Sequence, residues 1–402
     1  MARPGVNPDV GDNIPRLCGN PARVVAPFCR VSLAQGFPPA CPLQTASAAA
    51  DPDPPMTLKD LARQLGLSPT TVSRALNGYP EVSEKTRKRV LEMAERLHYS
   101  PNVRAQRLAT GRATAIGHVI PVSSRHEIVN PIFGDFIAGA GEVYARAGYE
   151  MVLSVVDDGE EAELYRRMAA RGSVDGVIVH APRPVDPRLA LLAEIGLPFV
   201  VHGRASGMAQ PYDWLDTDNA RAFRRATDYV LDLGHRRIGL VNGLAHLDFA
   251  QRRRAGFHAG LAARGLDPDP ALETSGEMTE GYGFDAARRM LGAAAPPTAI
   301  LVSSIIAAIG VRRAAQDMGL LPGRDLSILT HDDDLSYLQN GRDSAVFTAT
   351  RSSVRQAGRR AAEILLTRIA EPDRPAMGEI LPTDLVIGDS TGPARRSVSR
   401  RA

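Results

Sequence analysis

Short apolar runs recur along this 402-residue chain from about residue 113, and amphipathic segments separate them. The runs are AIGHVIPV, MVLSVV, DGVIVHA, LPFVVH, RIGLVNG, TAILVS and DLSILTH, with segments such as FIAGAGEVYARAG and ATDYVLDLG between them. Strands that alternate with helices of about 10–15 residues indicate βαβ units and parallel sheets. Seven or more such units over roughly 270 residues are many for one sheet and suit two. The chain is therefore predicted to form a large α/β body.

The residues just before this body have the pattern of short helices joined by a tight turn. Thr57 is a good N-cap for the first helix, and Asp60 follows where a capping box usually has Glu or Gln. Gly66 can adopt the left-handed conformation that ends a helix, and Ser68 with Pro69 then begins a second one. The apolar residues at helical spacing in the first helix are Leu58, Leu61, Ala62 and Leu65.

The second helix is predicted to bury one side and to turn a polar side outward. Asn77-Gly78 ends it, and Ser83 caps a third helix that runs SEKTRKRVLEMAERLHY. The inward residues are Val72, Ala75 and Leu76, and the outward residues are Thr70, Thr71, Ser73 and Arg74. The three helices predict an all-α helix-turn-helix domain at residues 56–100. A small helical bundle with solvated charges would show the same periodicity.

Charge and the following residues favour a DNA-binding domain over a plain bundle. Residues 56–112 carry eleven Lys and Arg against five Asp and Glu, whereas the rest of the chain is net negative. Positive charge on one small domain suits contact with phosphate. Pro101 and Asn102 lead into VRAQRLA, an amphipathic run too short to be a stable isolated helix. We therefore predict a conditionally folded hinge at residues 101–112.

These motifs resemble the LacI/GalR family of bacterial transcription regulators. The matching patterns are T-L-x-D-L-A, G-x-S-x-x-T-V-S-R-x-L-N, V-S-x-x-T-R and Y-x-P-N-x-x-A-x-x-L, and the resemblance runs from residue 56 to about residue 390. It implies two Rossmann-like subdomains of the type I periplasmic-binding-protein fold at 113–390, joined by three crossovers. The runs HDDDLSYLQNG and RDSAVFTATRSSVR are similar to regulators of α-glucoside utilisation.

The resemblance places DNA contacts on residues of the helix-turn-helix domain. Pro69, Thr70 and Arg74 fall at its base-reading positions, and an arginine there can grip a guanine edge with two hydrogen bonds. The residues at positions that contact phosphates, or support such contacts, are Thr57, Ser73, Asn77, Ser83 and Thr86.

The resemblance also gives the hinge a DNA contact. Leu108 falls where the family inserts a leucine into the minor groove and kinks the duplex. An ordinary linker residue that packs on its partner would be equally apolar. Gln106 stands where most members have Arg, which leaves the usual contact at that position in question.

Polar residues just after the predicted strands are candidates for an effector cleft, because open α/β sheets bind ligands beyond the carboxyl ends of their strands. The candidates are Asn130, Phe133, Asp218, Arg253 and Asp332. The resemblance assigns effector binding to Arg253 in its R-x-x-G-F context and to Asp332 in the G-F/Y-D-D position. An Arg and an Asp could hold vicinal hydroxyls, and Phe133 could stack on a sugar.

Each polar candidate also has a structural interpretation. Asp218 could only cap a helix, Asn130 could be a turn residue, and Arg253 could be a solvated member of an arginine run. Two departures from the family bear on the ligand. Ser304-Ile305 replaces the usual Asn-Asp, and Thr330-His331 replaces the usual Gly and aromatic residue.

The run HDDD at 331–334 invites a metal-site or a glycosidase interpretation. Adjacent residues at a strand end point to opposite sides, so they rarely converge on one ion or one bond. The chain also lacks a P-loop, a G-x-S-x-G elbow and an H-E-x-x-H motif. We therefore predict no enzyme activity, no catalytic residue, no metal site and no cofactor.

The two ends of the chain differ from the rest. Residues 1–55 hold eleven of the 30 prolines and all three cysteines, a composition that favours disorder, and we expect translation to start at Met56. No apolar run reaches a signal-peptide core, and a body without cysteine or membrane segment suits the cytoplasm, in association with the nucleoid. Residues 391–402 are predicted to be a basic disordered tail without leucine heptads.

The combined prediction is a sequence-specific DNA-binding transcriptional regulator. A homodimer would read a pseudo-palindromic double-stranded operator. It would repress sugar-utilisation genes, and the resemblance suggests that the sugars are α-glucosides. A small sugar bound in the cleft would release the repressor from the operator. A corepressor-dependent regulator, with a nucleobase or a phosphoprotein as its effector, would use the same cleft. A stand-alone sugar receptor would share the fold, but it would need a secretory signal and would have no basic head.

Overall fold

The computed structural model describes residues 56–76, 78–97, 99, 111–121, 130–157 and 159–394. These residues form two compact units, a head and a body, which are treated separately. The N-terminal segment 1–55, the hinge residues 101–110 and the end of the basic tail lie outside the described residues, as do the predicted DNA contacts Asn77 and Leu108. No helix within the described ranges combines the length and apolar character needed to span a membrane.

The head, as far as it is described, has three helices, Leu58–Leu65, Pro69–Leu76 and Glu84–Arg96. They enclose a small core made of Leu61, Ala62, Leu65, Val72, Ala75, Val82, Val90 and Ala94. The predicted inward residues of the first two helices are in this core or packed against it, which confirms the amphipathic interpretation.

Local hydrogen bonds begin and end these helices as the sequence predicts. The Thr57 hydroxyl accepts from the Asp60 amide at 3.3 Å, and the Asp60 carboxylate accepts from the Thr57 amide at 3.2 Å, which completes a capping box. Gly66 has φ 65°, a left-handed conformation that costs a glycine little. The hydroxyls of Ser68 and Ser83 accept from amides three residues on and cap the next two helices.

The body contains two six-stranded sheets. The strands are β1 Ala115–Pro121, β2 Glu150–Val156, β3 Gly176–Val179, β4 Phe199–His202, β5 Asp213–Thr217, β6 Ile238–Asn242, β7 Glu273–Ser275, β8 Ala299–Val302, β9 Ser327–Asp332, β10 Thr348–Arg351, β11 Gly378–Leu381 and β12 Asp384–Val386. The first sheet has the order β11-β5-β4-β3-β1-β2 and the second β12-β10-β9-β8-β6-β7. Every pairing is parallel except that of β10 with β12.

Helices cover the faces of both sheets, as parallel strands require. Their bounds are Pro131–Ala147, Glu161–Arg171, Pro187–Glu194, Asn219–Asp232, Asp248–Ala262, Glu280–Leu291, Ile305–Asp317 and Val354–Ala370, with a 3₁₀ turn at Pro270–Leu272. The chain passes between the sheets after β5, β10 and β11. The predicted α/β fold with two subdomains and three crossovers is therefore confirmed, and each subdomain is named here by its sheet, first or second.

One close helix approach positions the site described below. The helices Asn219–Asp232 and Asp248–Ala262 pack together, and a Cβ atom on Gly256 would lie 2.1 Å from the carbonyl oxygen of Ala220. Because only glycine fits, the backbones approach closely and the start of the first helix lies beside the middle of the second.

The ordered body extends further than predicted at its C-terminal end. The tail was predicted to begin at residue 391, yet the Gly392 amide donates to the Ser327 hydroxyl at 3.1 Å and the Ala394 amide donates to the Leu233 carbonyl at 2.8 Å. Side-chain and backbone bonds to distant residues hold this segment, and such bonds leave no periodic pattern in the sequence.

Candidate functional site

A cavity of about 380 Å³ lies between the two subdomains of the body. Its walls come from residues that follow β1, β3, β4, β5, β6, β7, β8, β9 and β10, so it lies at the carboxyl ends of the parallel strands of both sheets. This is the place where two facing open sheets bind ligands, and it agrees with the predicted cleft.

Arg253 is buried in the wall of this cavity and held in one orientation. Its Nε atom donates to Asn219 Oδ1 at 2.7 Å, and its Nη1 atom donates to the Ser303 carbonyl at 2.5 Å. The guanidinium lies between the rings of Phe223 and Phe249, 5.2 and 5.0 Å from their centroids. Burial lowers the pKa of Arg253 to about 10, so it stays charged at neutral pH. It is not a solvated member of its arginine run.

Of the two aspartates Asp332 and Asp333 at the end of β9, Asp333 lines the cavity, so the predicted Asp332 lies one residue from the side chain that faces it. Asp332 ends β9, accepts from the Asp334 amide at 2.9 Å, and faces a separate pocket beside Arg351. Successive side chains at a strand end point to opposite sides, so the next residue faces the cavity. Burial raises the pKa of Asp333 to about 7, although the nearby Arg253 charge opposes that rise.

At the start of the helix Asn219–Asp232, the residue that lines the cavity again lies one position after the predicted residue. Asp218 caps the helix Asn219–Asp232 by accepting from the Arg221 amide at 3.2 Å, and it does not line the cavity. Asn219 does line the cavity and is 3% exposed. A cap turns its side chain back along the helix, which leaves the following residue to face the cleft.

Asn130 and Phe133 lie in the cavity wall as predicted. Asn130 also caps the helix Pro131–Ala147, since its Oδ1 atom accepts from the Ile132 amide at 3.1 Å. Asn130 therefore combines a capping role with a position in the cavity wall, and its contact with an effector stays a prediction. Phe133 is 7% exposed, and its ring meets the His180 imidazole edge-on with centroids 5.2 Å apart.

Sequence reasoning missed a cluster of three histidines behind and along this wall, of which His118 and His180 are buried and His202 is half-buried. His180 and His202 line the cavity, and His118 lies behind them with its Nδ1 atom 3.0 Å from Nε2 of His180. Burial lowers the pKa of His118 to about 3 and that of His202 to about 4, and the pKa of His180 lies well below its usual value. Neutral imidazoles each offer one donor and one acceptor. Their position in or just after β1, β3 and β4 was the available signal.

The two departures from the family pattern have structural explanations. The Ser304 hydroxyl accepts from the Ile306 amide at 3.2 Å and caps the next helix, and Ile305 is buried. That part of the wall is therefore lined by Ser303 and Ile306 instead of an amide and a carboxylate. His331 is buried in β9, and its Nδ1 atom lies 3.0 Å from the hydroxyl of Thr350 in the neighbouring strand β10. Its side chain therefore packs within the sheet.

The predicted DNA-reading residues lie on one helix of the head. Pro69, Thr70 and Arg74 are exposed, and Ser73 is half-buried. The predicted phosphate-contact residues have structural roles as well, because the Thr57 hydroxyl donates to Asp60 at 2.6 Å and the hydroxyls of Ser83 and Thr86 lie 2.9 Å apart. A hydroxyl that caps a helix remains at its N-terminus, where backbone amides favour phosphate. The DNA roles of these residues stay predictions.

Comparison with known proteins identifies family matches for the head and for part of the body. Residues 57–102 match the model of bacterial regulatory proteins of the lacI family, and residues 227–391 match a periplasmic binding protein-like domain. The chain is 44% identical over 341 residues to the HTH-type transcriptional regulator AglR of Rhizobium meliloti (strain 1021), which covers 85% of this chain and 95% of that protein.

Two solved structures are similar to most of this chain. A complex of the transcriptional regulator CelR with cellobiose has a TM-score of 0.62 at 27% identity and covers 83% of this chain and 99% of that one. The lac repressor dimer bound to operator and the anti-inducer ONPF has a TM-score of 0.73 at 26% identity and covers 84% and 100%. With its helix-turn-helix head and two-subdomain body, the chain belongs to the lacI family of bacterial regulatory proteins and is a DNA-binding transcriptional regulator.

Proposed function

We propose that this regulator is a repressor that a neutral sugar releases from its operator. The proposal takes the homodimer to read a pseudo-palindromic operator with its two heads, while the hinge, residues 101–112, folds only on DNA. A sugar that shifts one subdomain against the other would separate the hinges. A coupling of about 1–3 kcal/mol would lower operator affinity about five- to hundredfold. Leu108 is proposed to wedge into the minor groove at each hinge.

The combination of Arg253, Asp333 and neutral histidines in one cavity carries this proposal. A charged donor and a carboxylate on one wall suit vicinal hydroxyls, and neutral imidazoles on the opposite wall can both donate to and accept from further hydroxyls. Phe133 and Phe249 supply aromatic surface for the apolar face of a sugar ring. The volume of about 380 Å³ is within the range of small-molecule sites.

The charges of the cavity argue against an anionic effector. Among the described lining residues, Arg253 is the one cation, whereas Glu277, Glu280 and Asp333 are acidic. A phosphorylated ligand or a phosphoprotein would meet more negative than positive charge. The subfamily resemblance and the cellobiose complex of CelR favour a disaccharide, and we propose an α-glucoside.

The test is a ligand screen coupled to DNA binding. Operator duplexes are first selected from random DNA with the full chain, and thermal unfolding is then measured with maltose, sucrose, trehalose, glucose, glucose 6-phosphate and hypoxanthine. We expect an α-glucosidic disaccharide to raise the melting temperature and to release labelled operator in fluorescence anisotropy. Tighter operator binding with hypoxanthine would identify a corepressor-dependent regulator. Equal affinity for operator with and without residues 56–112 would contradict any DNA-binding role for the head.

The ionisation of Asp333 predicts a pH dependence of stability. Between about pH 4 and pH 7 the folded protein keeps a proton on Asp333 that the unfolded chain has released, because burial raises its pKa from 3.8 to about 7. The free energy of unfolding should therefore fall as pH rises through that window. Asp333→Asn should remove this contribution, which is on the order of a few kcal/mol.

The measurement is urea unfolding of wild type and Asp333→Asn at pH 5 and pH 7.5. His118 and His202 have lowered pKa values and contribute a slope of opposite sign in both proteins, which the difference between them removes. His331 Nε2 lies 3.5 Å from Asp333 Oδ1, so the remaining difference reports Asp333 together with this contact. Parallel pH profiles for wild type and variant would show that Asp333 titrates normally and is solvated.

A further inference from the structure

A chain of polar contacts joins the two subdomains beside the cavity, next to the lining residues Asn219 and Phe249. We call Ser206, Asp216, Asp248 and Arg252 the clasp. Ser206 and Asp216 belong to the first subdomain, and Asp248 and Arg252 lie on the helix Asp248–Ala262 of the second. The Ser206 amide donates to Asp248 Oδ2 at 2.9 Å, and the Ser206 hydroxyl donates to the same oxygen. Arg252 joins Asp248 at 2.5 Å and Asp216 at 2.6 Å.

The two carboxylates of the clasp are buried, whereas Arg252 is half-buried and Ser206 is exposed. Asp248 is fully buried and Asp216 is 5% exposed, while the side chain of Arg252 is 13% exposed. When the subdomains separate on this side, Asp248 keeps its pair with Arg252 on the same helix, and Asp216 keeps Arg204 Nε at 3.2 Å. The contacts that span the subdomains are those of Ser206 with Asp248 and of Arg252 with Asp216. Movement of the two subdomains apart on this side must therefore break several of these contacts together.

Asn219 connects the clasp to the effector cavity. Its Nδ2 atom donates to Asp216 Oδ1 at 3.2 Å, and its Oδ1 atom accepts from Arg253 Nε at 2.7 Å. The amide has a single chemically acceptable orientation, because a guanidinium can only donate and a carboxylate can only accept. A continuous path therefore runs from Arg253 through Asn219 and Asp216 to Arg252.

The other side of the cavity has a separate inter-subdomain contact. Asp135 of the helix Pro131–Ala147 accepts from both the amide and the hydroxyl of Ser336, each at 2.7 Å. Arg355 lies 3.4 Å from the same carboxylate. No hydrogen bond or ion pair described in the structure joins this contact to Arg253, so the two sides of the cleft differ.

We propose that Asn219 is a positioning residue that couples Arg253 to the clasp, so that a ligand held by Arg253 acts on the subdomain contact at Ser206 and Asp248. This rests on the proposed role of the cavity as the effector site. In the ligand-free protein, Asn219 keeps Asp216 oriented toward Arg252. The ligand should therefore affect the two inter-subdomain contacts differently, because the contact between Asp135 and Ser336 is not part of this path.

Amide hydrogen exchange of the full-length, ligand-free protein tests the coupling without any sugar. The Ser206 amide donates directly to Asp248 and reports the clasp, and the Ser336 amide donates to Asp135 and reports the opposite side. We expect Asn219→Ala to increase the exchange rate of the Ser206 amide at least about fivefold, which is the factor that corresponds to the lower end of typical coupling energies. The exchange rate of the Ser336 amide should stay unchanged. Asn219→Asp is a second variant of nearly the same size, and it replaces the donor to Asp216 with a like charge. It should give the same selective increase.

Asp218→Ala is the matched control, because it removes the cap of the same helix without touching the path. It should leave exchange at Ser206 at the wild-type rate. Unchanged Ser206 exchange in both Asn219 variants would overturn the proposal. So would an equal increase in the Asp218 variant or at Ser336, because either would show general loosening. The choice of sugar in the DNA-release screen does not affect these outcomes, so the two proposals can fail separately.

Discussion

Arg253→Ala is expected to abolish operator release by the effector while operator affinity stays close to that of wild type. The guanidinium is the one cation among the described residues of the cavity, and its position is set by Asn219, the Ser303 carbonyl and two phenylalanine rings. Its removal takes away the charge-assisted donors available to a ligand hydroxyl. Fluorescence anisotropy of labelled operator, titrated with the sugar found in the screen, measures both quantities.

The same change should lower stability, because Asn219 Oδ1 and the Ser303 carbonyl lose their donor inside the protein. Each unsatisfied buried acceptor costs about 1–3 kcal/mol, so a lower melting temperature is part of the expected result. Arg253→Lys keeps the charge and loses the planar fork, and it should retain a weakened response.

Arg254→Ala is the matched control for the arginine. Arg254 is adjacent, its side chain is 55% exposed, and it pairs with Glu273 at 2.6 Å on the surface. It should respond to the effector as wild type does. If Arg253→Ala instead loses operator binding in a protein that still folds, then Arg253 supports the DNA-bound state and is not a ligand contact.

Arg74→Ala should weaken operator binding by about 1–3 kcal/mol per half-site and relax the preference at one base pair in each half-site. Arg74 is exposed on the helix Pro69–Leu76, and an arginine there can make two hydrogen bonds to a guanine edge. Binding of wild type and variant to operators with each base pair changed in turn measures the loss of discrimination.

Arg63→Ala removes the same charge from the preceding helix and serves as the comparison. The Arg63 side chain is 79% exposed and lies 3.2 Å from Asp60. We expect it to change affinity little, and equally for operator and random DNA, because a long-range charge effect carries no base information. Equal losses on operator and random DNA for Arg74→Ala would show that Arg74 contacts phosphate and does not read a base.

The strands differ in how well local sequence predicts them. β3, β6 and β8 are continuous apolar runs buried on both faces, and all three were predicted. β5, with the sequence DWLDT, and β10, with TATR, were missed because their aspartate, threonine and arginine residues interrupt the apolar run by which a strand is recognised. Pairing with adjacent strands of the sheet stabilises β5 and β10, and the pattern of a single sequence does not show which strands will pair.

The cavity shows the same limit at the level of single residues. Arg253, Phe133 and Asn130 were placed correctly in its wall, whereas Asp332 and Asp218 each lie one residue from the side chain that faces it. The spacing of motifs along a chain identifies a strand end, but the side chain that faces the cleft depends on where the strand stops and the turn begins.

By itself, the sequence determined the helices of the head and the alternating strands and helices of the body, because capping residues, turn residues and apolar periodicity act through neighbours in the chain. The regulatory class came from the resemblance of its motifs to the lacI family. Only the tertiary structure decided the contents of the cavity and the clasp beside it. Ser206 and Asp248 meet across 42 residues, and Asp135 and Ser336 meet across 201. Contacts over such separations form only when both sheets are assembled, so local sequence carries no sign of them.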